Sequence, residues 1–370
     1  LKKIRDQIQV VDFNIMELEE NLEDKITASK EDKKDEVGEE FKDELASKIT
    51  DLIKRTSTSG KNIITAINSR FLVNRVIPVM GEPETPEFES ALRSAVKEQF
   101  SNYPEKSIQT THEVISQGES GGDEIGEGVP NKVLICAAKN EALDFYKEIL
   151  GKTGFKTTVV SGVPFALYNV FYEINKRDKE YSALEPEKKN SLLIDIGFNN
   201  MNIIGVRDGK LSKMKTNFSF NDRLIVDGLK KQESLDETGA YKKKYDLFIQ
   251  SINKEEKEKI KQDILNKYYK NYFVGQTNII IQEIKNTISD MELEVSDIAK
   301  ISLSGGGAFF PFILDFISTK LKGDNPDMKL RIELLNPFFN MTAKDEAKVR
   351  ELGKRSSLFT TAVGLAMRTL

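Results

Sequence analysis

Two stretches of this chain restrict its fold more than any others. The first runs Leu192-Leu193-Ile194-Asp195-Ile196-Gly197-Phe198-Asn199-Asn200-Met201-Asn202-Ile203-Ile204. Two apolar, strand-length runs flank a turn of small polar residues, which predicts a β-hairpin. The second is Ile301-Ser302-Leu303 followed by Ser304-Gly305-Gly306-Gly307 and an apolar stretch at helical spacing, Phe309 to Leu321. That is a strand, a glycine turn and a helix. Between them lies a helix-rich stretch, Asp222 to Met291. Strands and helices that alternate this way must bury sheet faces under helices, which is an α/β architecture. At 370 residues the chain is long enough for two such lobes.

The rest of the sequence supplies the second lobe and an insertion. Ile8 to Leu18 reads as a strand. Phe41, Leu45, Ile49, Leu52 and Ile53 recur on one helical face. Residues 62–150 then read β-β-α-β-β-α: Asn62–Ile67, Phe71–Met80, the helix Phe88–Phe100, Ser107–Ser116, Lys132–Ala138 and the helix Glu141–Leu150. A strand at Lys156–Val160 and a helix from Pro164 to Asn175 follow. Asp208-Gly209 marks a turn, Lys329–Leu334 a strand, and Ser356–Leu370 the last helix. The charged runs Glu19–Glu40 and Asn253–Lys267, and the Gly/Glu-rich stretch Gln117–Pro130, read as solvated surface. The division this implies is a first lobe from 1–61 and 151–190, an inserted subdomain at 62–150, and a second lobe at 191–370 with a helical insertion near 222–291.

Composition removes several functions. The 55 Lys+Arg stand against 59 Asp+Glu, a net charge of -4, so no basic excess serves nucleic acid. His112 is the single histidine, which excludes a His-rich metal site. Cys136 is the single cysteine and sits in the apolar run Val133–Ala138, as a buried free thiol would. No stretch is long and apolar enough to span a bilayer.

The two leading motifs carry whatever chemistry is visible. Gly197 lets the backbone turn and approach a ligand closely. Asp195, at a strand end, can hold a hydrated Mg²⁺, and Asn199 and Asn200 complete a polar turn. Read alone, the segment serves equally as a plain hairpin. Ser304, Gly305, Gly306 and Gly307 ahead of a helix N-terminus offer backbone N–H groups and a favourable dipole to an anion. The alternative is a tight strand-to-helix turn.

The order of these pieces resembles the actin-like superfamily, which also holds heat-shock chaperones and sugar kinases. The finer resemblance is to the PilM family of type IV pilus assembly, over nearly the whole chain. It is carried by Val133–Lys139, by Val163-Pro164-Phe165-Ala166-Leu167, by Ser191–Ile204 and by Ile301–Ala308. Glu333-Leu334-Leu335-Asn336-Pro337-Phe338 and Ala362-Val363-Gly364-Leu365-Ala366-Met367-Arg368 complete it. The resemblance implies a two-lobed actin-like fold with an inserted 1C-type β-α-β subdomain. It implies ATP and Mg²⁺ at Asp195, Gly197, Asn199, Asn200 and Ser304–Gly307, with Asp195 nearest the metal. It implies a cytoplasmic scaffold, peripheral at the inner membrane, that binds the short cytoplasmic tail of a bitopic, PilN-like protein through residues 62–150. Self-association through that subdomain is the alternative. An FtsA-like division protein, a GspL-like secretion module and a sugar-kinase-like phosphotransferase share the fold. The sequence departs from the family's pattern at three points. Its opening Asp-x-Gly-Ser hairpin has no counterpart here, Met201 replaces a Thr, and Phe220-Asn221 stand where a Gly-Gly pair falls. These departures predict weak or absent ATP turnover.

Overall fold

The computed structural model describes residues 1–4, 7–16, 39–57, 60, 62–104, 107–118, 129–253, 261, 266–267, 274–323, 325 and 327–368. Most of the charged runs expected at 19–40 and 253–267, and of the loop expected at 117–130, lies outside these residues. The chain divides into two compact units, 1–163 with 342–345, and 164–341 with 346–369.

The first unit opens with β1 (Lys2–Ile4) antiparallel to β2 (Gln7–Val10). Helix α1 (Glu39–Lys54) follows, with acidic residues in its first turn as the helix dipole favours. Next come β3 (Asn62–Ile67), β4 (Leu72–Val79), α2 (Pro86–Gln99), β5 (Ile108–Ser116), β6 (Asn131–Lys139), α3 (Asn140–Lys152) and β7 (Lys156–Gly162). Residues 62–150 thus run β-β-α-β-β-α. The pairing, however, splits them. β3 pairs in parallel with β7, while β4, β6 and β5 form a separate antiparallel sheet with β6 in the centre. Thr85 starts α2, its hydroxyl accepting the Phe88 N–H at 3.3 Å, and Pro86 takes the first helical position. Phe88 and Leu92 then pack onto Ile77, Val79, Val133 and Ile135 as a small core of their own. A second apolar cluster joins α1 and α3 through Leu45, Phe145 and Ile149.

The second unit begins with α4 (Val163–Arg177). Its sheet has the order β10-β9-β8-β11-β12. β8 (Ser191–Ile196), β9 (Met201–Arg207) and β10 (Lys210–Asn217) form an antiparallel meander. Asp208 (φ 53°) and Gly209 (φ 77°) make the two-residue turn between the last two, a geometry that suits right-twisted strands. Helices α5 (Asp222–Glu233), α6 (Glu237–Ile252) and α7 (Val274–Asp290) then cross over. β11 (Lys300–Ser304), α8 (Ile313–Lys322) and β12 (Arg331–Leu334) complete the sheet, with β8, β11 and β12 parallel. β13 (Thr342–Ala343) returns to the first unit and pairs with β2. α9 (Glu346–Leu352) and α10 (Thr360–Met367) end the chain. β8 is buried at every position, as a strand covered on both faces must be.

Two helix starts differ from the sequence reading. The residues after the glycine triplet form a short 3-10 turn, Gly306–Phe309, and α8 starts only at Ile313. Pro311 forces Phe310 into an extended conformation (φ -73°, ψ 130°), and Phe312 sits left-handed at φ 61°. The triplet therefore does not open into an α-helix. Likewise Gly353–Phe359 is a 3-10 turn, and the last helix starts at Thr360 rather than Ser356. Strand β10 lay unread in the sequence, because Lys210, Lys213 and Lys215 mask its half-buried face.

Candidate functional site

The hairpin and the glycine turn meet at the ends of two neighbouring strands. In the parallel β8–β11 ladder, Ser304 lies opposite Asp195. The Ser304 hydroxyl donates to Asp195 Oδ1 at 2.7 Å. Asp195 is buried, and burial pushes its carboxyl above the usual range despite the hydrogen bonds from Ser304 and Asn202. Asn202 also donates to Asn200 Oδ1 at 3.4 Å and accepts the Thr216 hydroxyl at 3.0 Å.

The hairpin turn closes on itself through the Gly197 N–H, which donates to the Asn200 carbonyl at 2.8 Å. Its carbonyls then reach the start of α5. Gly197 O accepts the Asp222 N–H at 2.9 Å, and Phe198 O accepts the Arg223 N–H at 3.0 Å. Asn199 O accepts Asn221 Nδ2 at 3.2 Å, while the Asn221 side-chain oxygen caps the Leu224 N–H at 3.1 Å. A helix N-terminus attracts anions because its first N–H groups lack partners. In α5 the first of those groups already serve the hairpin.

The glycines of the second motif answer a steric demand from within the protein. Gly305 has φ 82°, a conformation that strains any L side chain. A Cβ there would strike the Ile196 carbonyl, and one at Gly307 would strike the Ile196 side chain. A Cβ at Gly306 would come within 2.6 Å of Asp222 Oδ2. The close approach read from the sequence is real, and the approaching groups are the end of β8 and Asp222.

Asp222 forms a buried ion pair with Lys244 on α6, Nζ to Oδ1 at 2.5 Å, both side chains 4% exposed. Lys244 also donates to the Gly306 carbonyl at 3.1 Å. Sequence reasoning missed this pair. The signal was present: Ala240, Lys244, Leu247, Phe248 and Ser251 share the buried stripe of α6, and a lysine in such a stripe needs a partner. It was hidden in the run Lys242-Lys243-Lys244, which reads as solvated surface.

The structure thus brings Asp195, Gly197, Asn199, Asn200, Ser304, Gly305, Gly306 and Gly307 into one place. A hydrated Mg²⁺ and a nucleotide are a poor fit to them. Mg²⁺ is usually held through a carboxylate that it or its waters can reach, whereas Asp195 is enclosed by Ser304 and Asn202. Met201 is fully buried in the core and has no hydroxyl to offer phosphate. Phe220 is 1% exposed and packs into the same core. No group of three or more His, Cys, Asp or Glu among the described residues is placed to hold a metal ion. The α-helix N-terminus expected behind the glycines is absent, as the 3-10 turn shows.

The family model for the type IV pilus assembly protein PilM matches residues 8–370. The chain belongs to the PilM family. Its fold is the actin-like one, as a solved structure of a PilM-PilN type IV pilus biogenesis complex shows: 19% identity, TM-score 0.63, over 88% of this chain and 84% of that one. More distant likenesses are an ethanolamine utilization protein EutJ from Carboxydothermus hydrogenoformans (11% identity, TM-score 0.34, 62% and 61% covered) and a Bacteroides thetaiotaomicron protein with an actin-like ATPase fold and unknown function (10% identity, TM-score 0.40, 87% and 81% covered). No curated protein sequence matches significantly. This PilM-family chain is an actin-like protein of type IV pilus assembly.

Several family-like segments find structural roles. Ala166 of α4 lies against Gly364 of α10 so closely that a Cβ on Gly364 would strike the Ala166 backbone. Leu335 donates its N–H to Leu303 O at 2.8 Å, and Phe338 packs on Phe359, ring centroids 6.0 Å apart. Cys136 is buried in β6, and burial pushes its thiol up to about 12, so it is chemically quiet. His112 lies exposed on β5, 4.0 Å from Glu89.

Proposed function

We propose that this PilM-family chain is a cytoplasmic scaffold that binds the short cytoplasmic tail of a bitopic, PilN-like inner-membrane protein, and that the tail adds a strand to β5. The observation that carries this reading is the free edge of the β4-β6-β5 sheet in the first unit. β5 pairs only with β6 among the described residues, and Gln109 to Glu113 are exposed at every position. The opposite edge, β4, contains Pro78, which lacks an N–H to donate. An extended peptide can pair its backbone with an open edge and select by side chain.

The family supports the reading, as does the partner named with the solved PilM-PilN complex. No helix among the described residues is long and apolar enough to cross a membrane, so a membrane-anchored partner would supply recruitment. An apolar cavity of 210 Å³ between α1 and α3, lined by Leu45, Ile49, Phe145 and Ile149, offers the same unit a second place for apolar side chains.

The test is a fluorescence-anisotropy titration of a labelled peptide copying the partner's cytoplasmic tail. In an antiparallel ladder, successive residues direct their N–H groups to opposite sides. Of Thr110→Pro and Thr111→Pro, one therefore spares the bonds to β6 and removes an outward N–H. The variant that melts like the parent should bind the peptide roughly 10-fold more weakly, the worth of about one main-chain hydrogen bond. Unchanged affinity in that variant places the tail elsewhere. No binding by the parent chain removes the partner reading itself.

A further inference from the structure

We propose that Lys244 supplies, within the chain, the positive charge that holds the Ser304-Gly305-Gly306-Gly307 turn closed, and that this built-in ion pair leaves a magnesium nucleotide no seat at the turn. The inference goes beyond partner binding and rests on other residues.

Asp222 stands at the centre of the arrangement. Its N–H ties it to the hairpin through Gly197 O, and its carboxylate faces the glycine turn at Gly306. A buried carboxylate beside backbone N–H groups repels phosphate unless a cation offsets it. Lys244 is that cation. It contacts Asp222 at 2.5 Å and the Gly306 carbonyl at 3.1 Å, and its Nζ lies 4.9 Å from the Tyr241 ring centroid. One ammonium thus links α5, α6 and the turn. A triphosphate arriving there would have to take Lys244 from Asp222 and leave a buried carboxylate unpaired.

The far side of the turn is filled as well. Phe309, its last residue, is 3% exposed. Its ring lies 5.2 Å from Phe248 and 5.8 Å from Tyr245, both edge-on. The Arg355 guanidinium covers Tyr245 at 4.1 Å. Aromatic side chains of the protein itself therefore occupy the flank of the turn. With Asp195 enclosed by Ser304 and Asn202 and Asp222 paired with Lys244, both of these carboxylates are engaged within the protein and neither is presented to a metal ion.

The experiment is a thermal melt of the full chain with and without 1 mM ATP and Mg²⁺, run with equilibrium dialysis of labelled ATP. A site with a Kd near ~10 µM would raise the melting temperature by several degrees at that concentration. The expected shift is below ~1 °C, with no saturable binding at the turn. Lys244→Met should lower the melting temperature by about 10 °C, because it strands Asp222. Lys244→Met combined with Asp222→Leu should regain most of that loss, since an apolar pair replaces the ion pair. Saturable, Mg²⁺-dependent ATP binding that disappears in Asp195→Asn overturns the inference. So does a Lys244→Met variant that melts like the parent, or a double variant no more stable than the single one. ATP binding that Asp195→Asn leaves intact overturns it too when ATP slows hydrogen exchange at 304–307.

Discussion

The β4-β6-β5 sheet of the first unit and the five-stranded sheet of the second solve the same problem in opposite ways. In the second unit β8 is buried along its whole length, and its hairpin carbonyls and glycine turn are matched by groups of the same unit. In the first unit β5 is exposed on five successive residues, Gln109 to Glu113, and among the described residues pairs on one side only. Most of the segments that resemble the family lie in the second unit, with Val133–Lys139 in the central strand of the open sheet as the exception. The open region carries the surface proposed for the partner. A recognisable motif can therefore mark packing that the fold requires.

Substitution of the glycines would test this contrast most severely. Gly307→Val should cost about 3 kcal/mol or more in urea unfolding, because its side chain would overlap that of Ile196. A cost below ~1 kcal/mol would mean that the turn is loose enough to admit a ligand. Lys300→Met comes next. Lys300 is 1% exposed and holds Asp178 at 3.1 Å and Glu333 at 3.6 Å, so its loss should cost about 3 kcal/mol. Burial raises the Asp178 carboxyl, but hydrogen bonds from Arg331, the Tyr181 N–H and Lys300 outweigh it and hold the group below the usual range. Its folded state thus binds its proton less readily than the unfolded chain. That contribution to stability is present above the unfolded pKa near 4 and is lost as pH falls through the folded value. Asp178→Asn should accordingly lose more stability at pH 7 than at pH 3.

Asp195 gives the opposite sign. Its folded pKa is raised by burial, so the protonated form is the one the fold favours. Stability associated with it is full below the unfolded pKa and declines as pH rises through the folded value. Asp195→Asn keeps an oxygen for the Ser304 hydroxyl and should melt higher than the parent at pH 8, with the gain vanishing near pH 4. A variant that melts lower at pH 8 would show that the ionised carboxylate is being used, as a metal site demands. The smallest effect belongs to the first unit. Gly151 lies near the end of α3 and faces open space where a Cβ would stand, so Gly151→Ala should gain about 0.5 kcal/mol.

Much of the architecture was legible because the elements obey simple periods. The β-β-α-β-β-α order of residues 62–150 followed from apolar spacing, as did the hairpin at Leu192–Ile204 and the helix at Pro164. What escaped depended on tertiary contact. No local rule separates β3 from β4, yet β3 pairs with β7, about ninety residues on, while β4 joins β6. The false helix start at Phe309 came from reading apolar spacing through Pro311, which holds Phe310 extended. The structure brings the residues of the two motifs together, but their sequence does not say what each one touches. Three glycines announce a close approach without saying what approaches, and only the fold identifies Ile196 and Asp222. Lys244 was invisible because its two lysine neighbours share its local sequence and not its burial.

Hydrogen exchange of the full chain, alone and saturated with the partner's cytoplasmic tail peptide, tests the central claim most directly. Strand addition predicts new protection at the amides of Ile108–Ser116, with the hairpin at 195–200 and the turn at 304–307 unchanged by peptide or by Mg²⁺-ATP. Protection that appears at 195–200 and 304–307 while Ile108–Ser116 exchanges as before would contradict it.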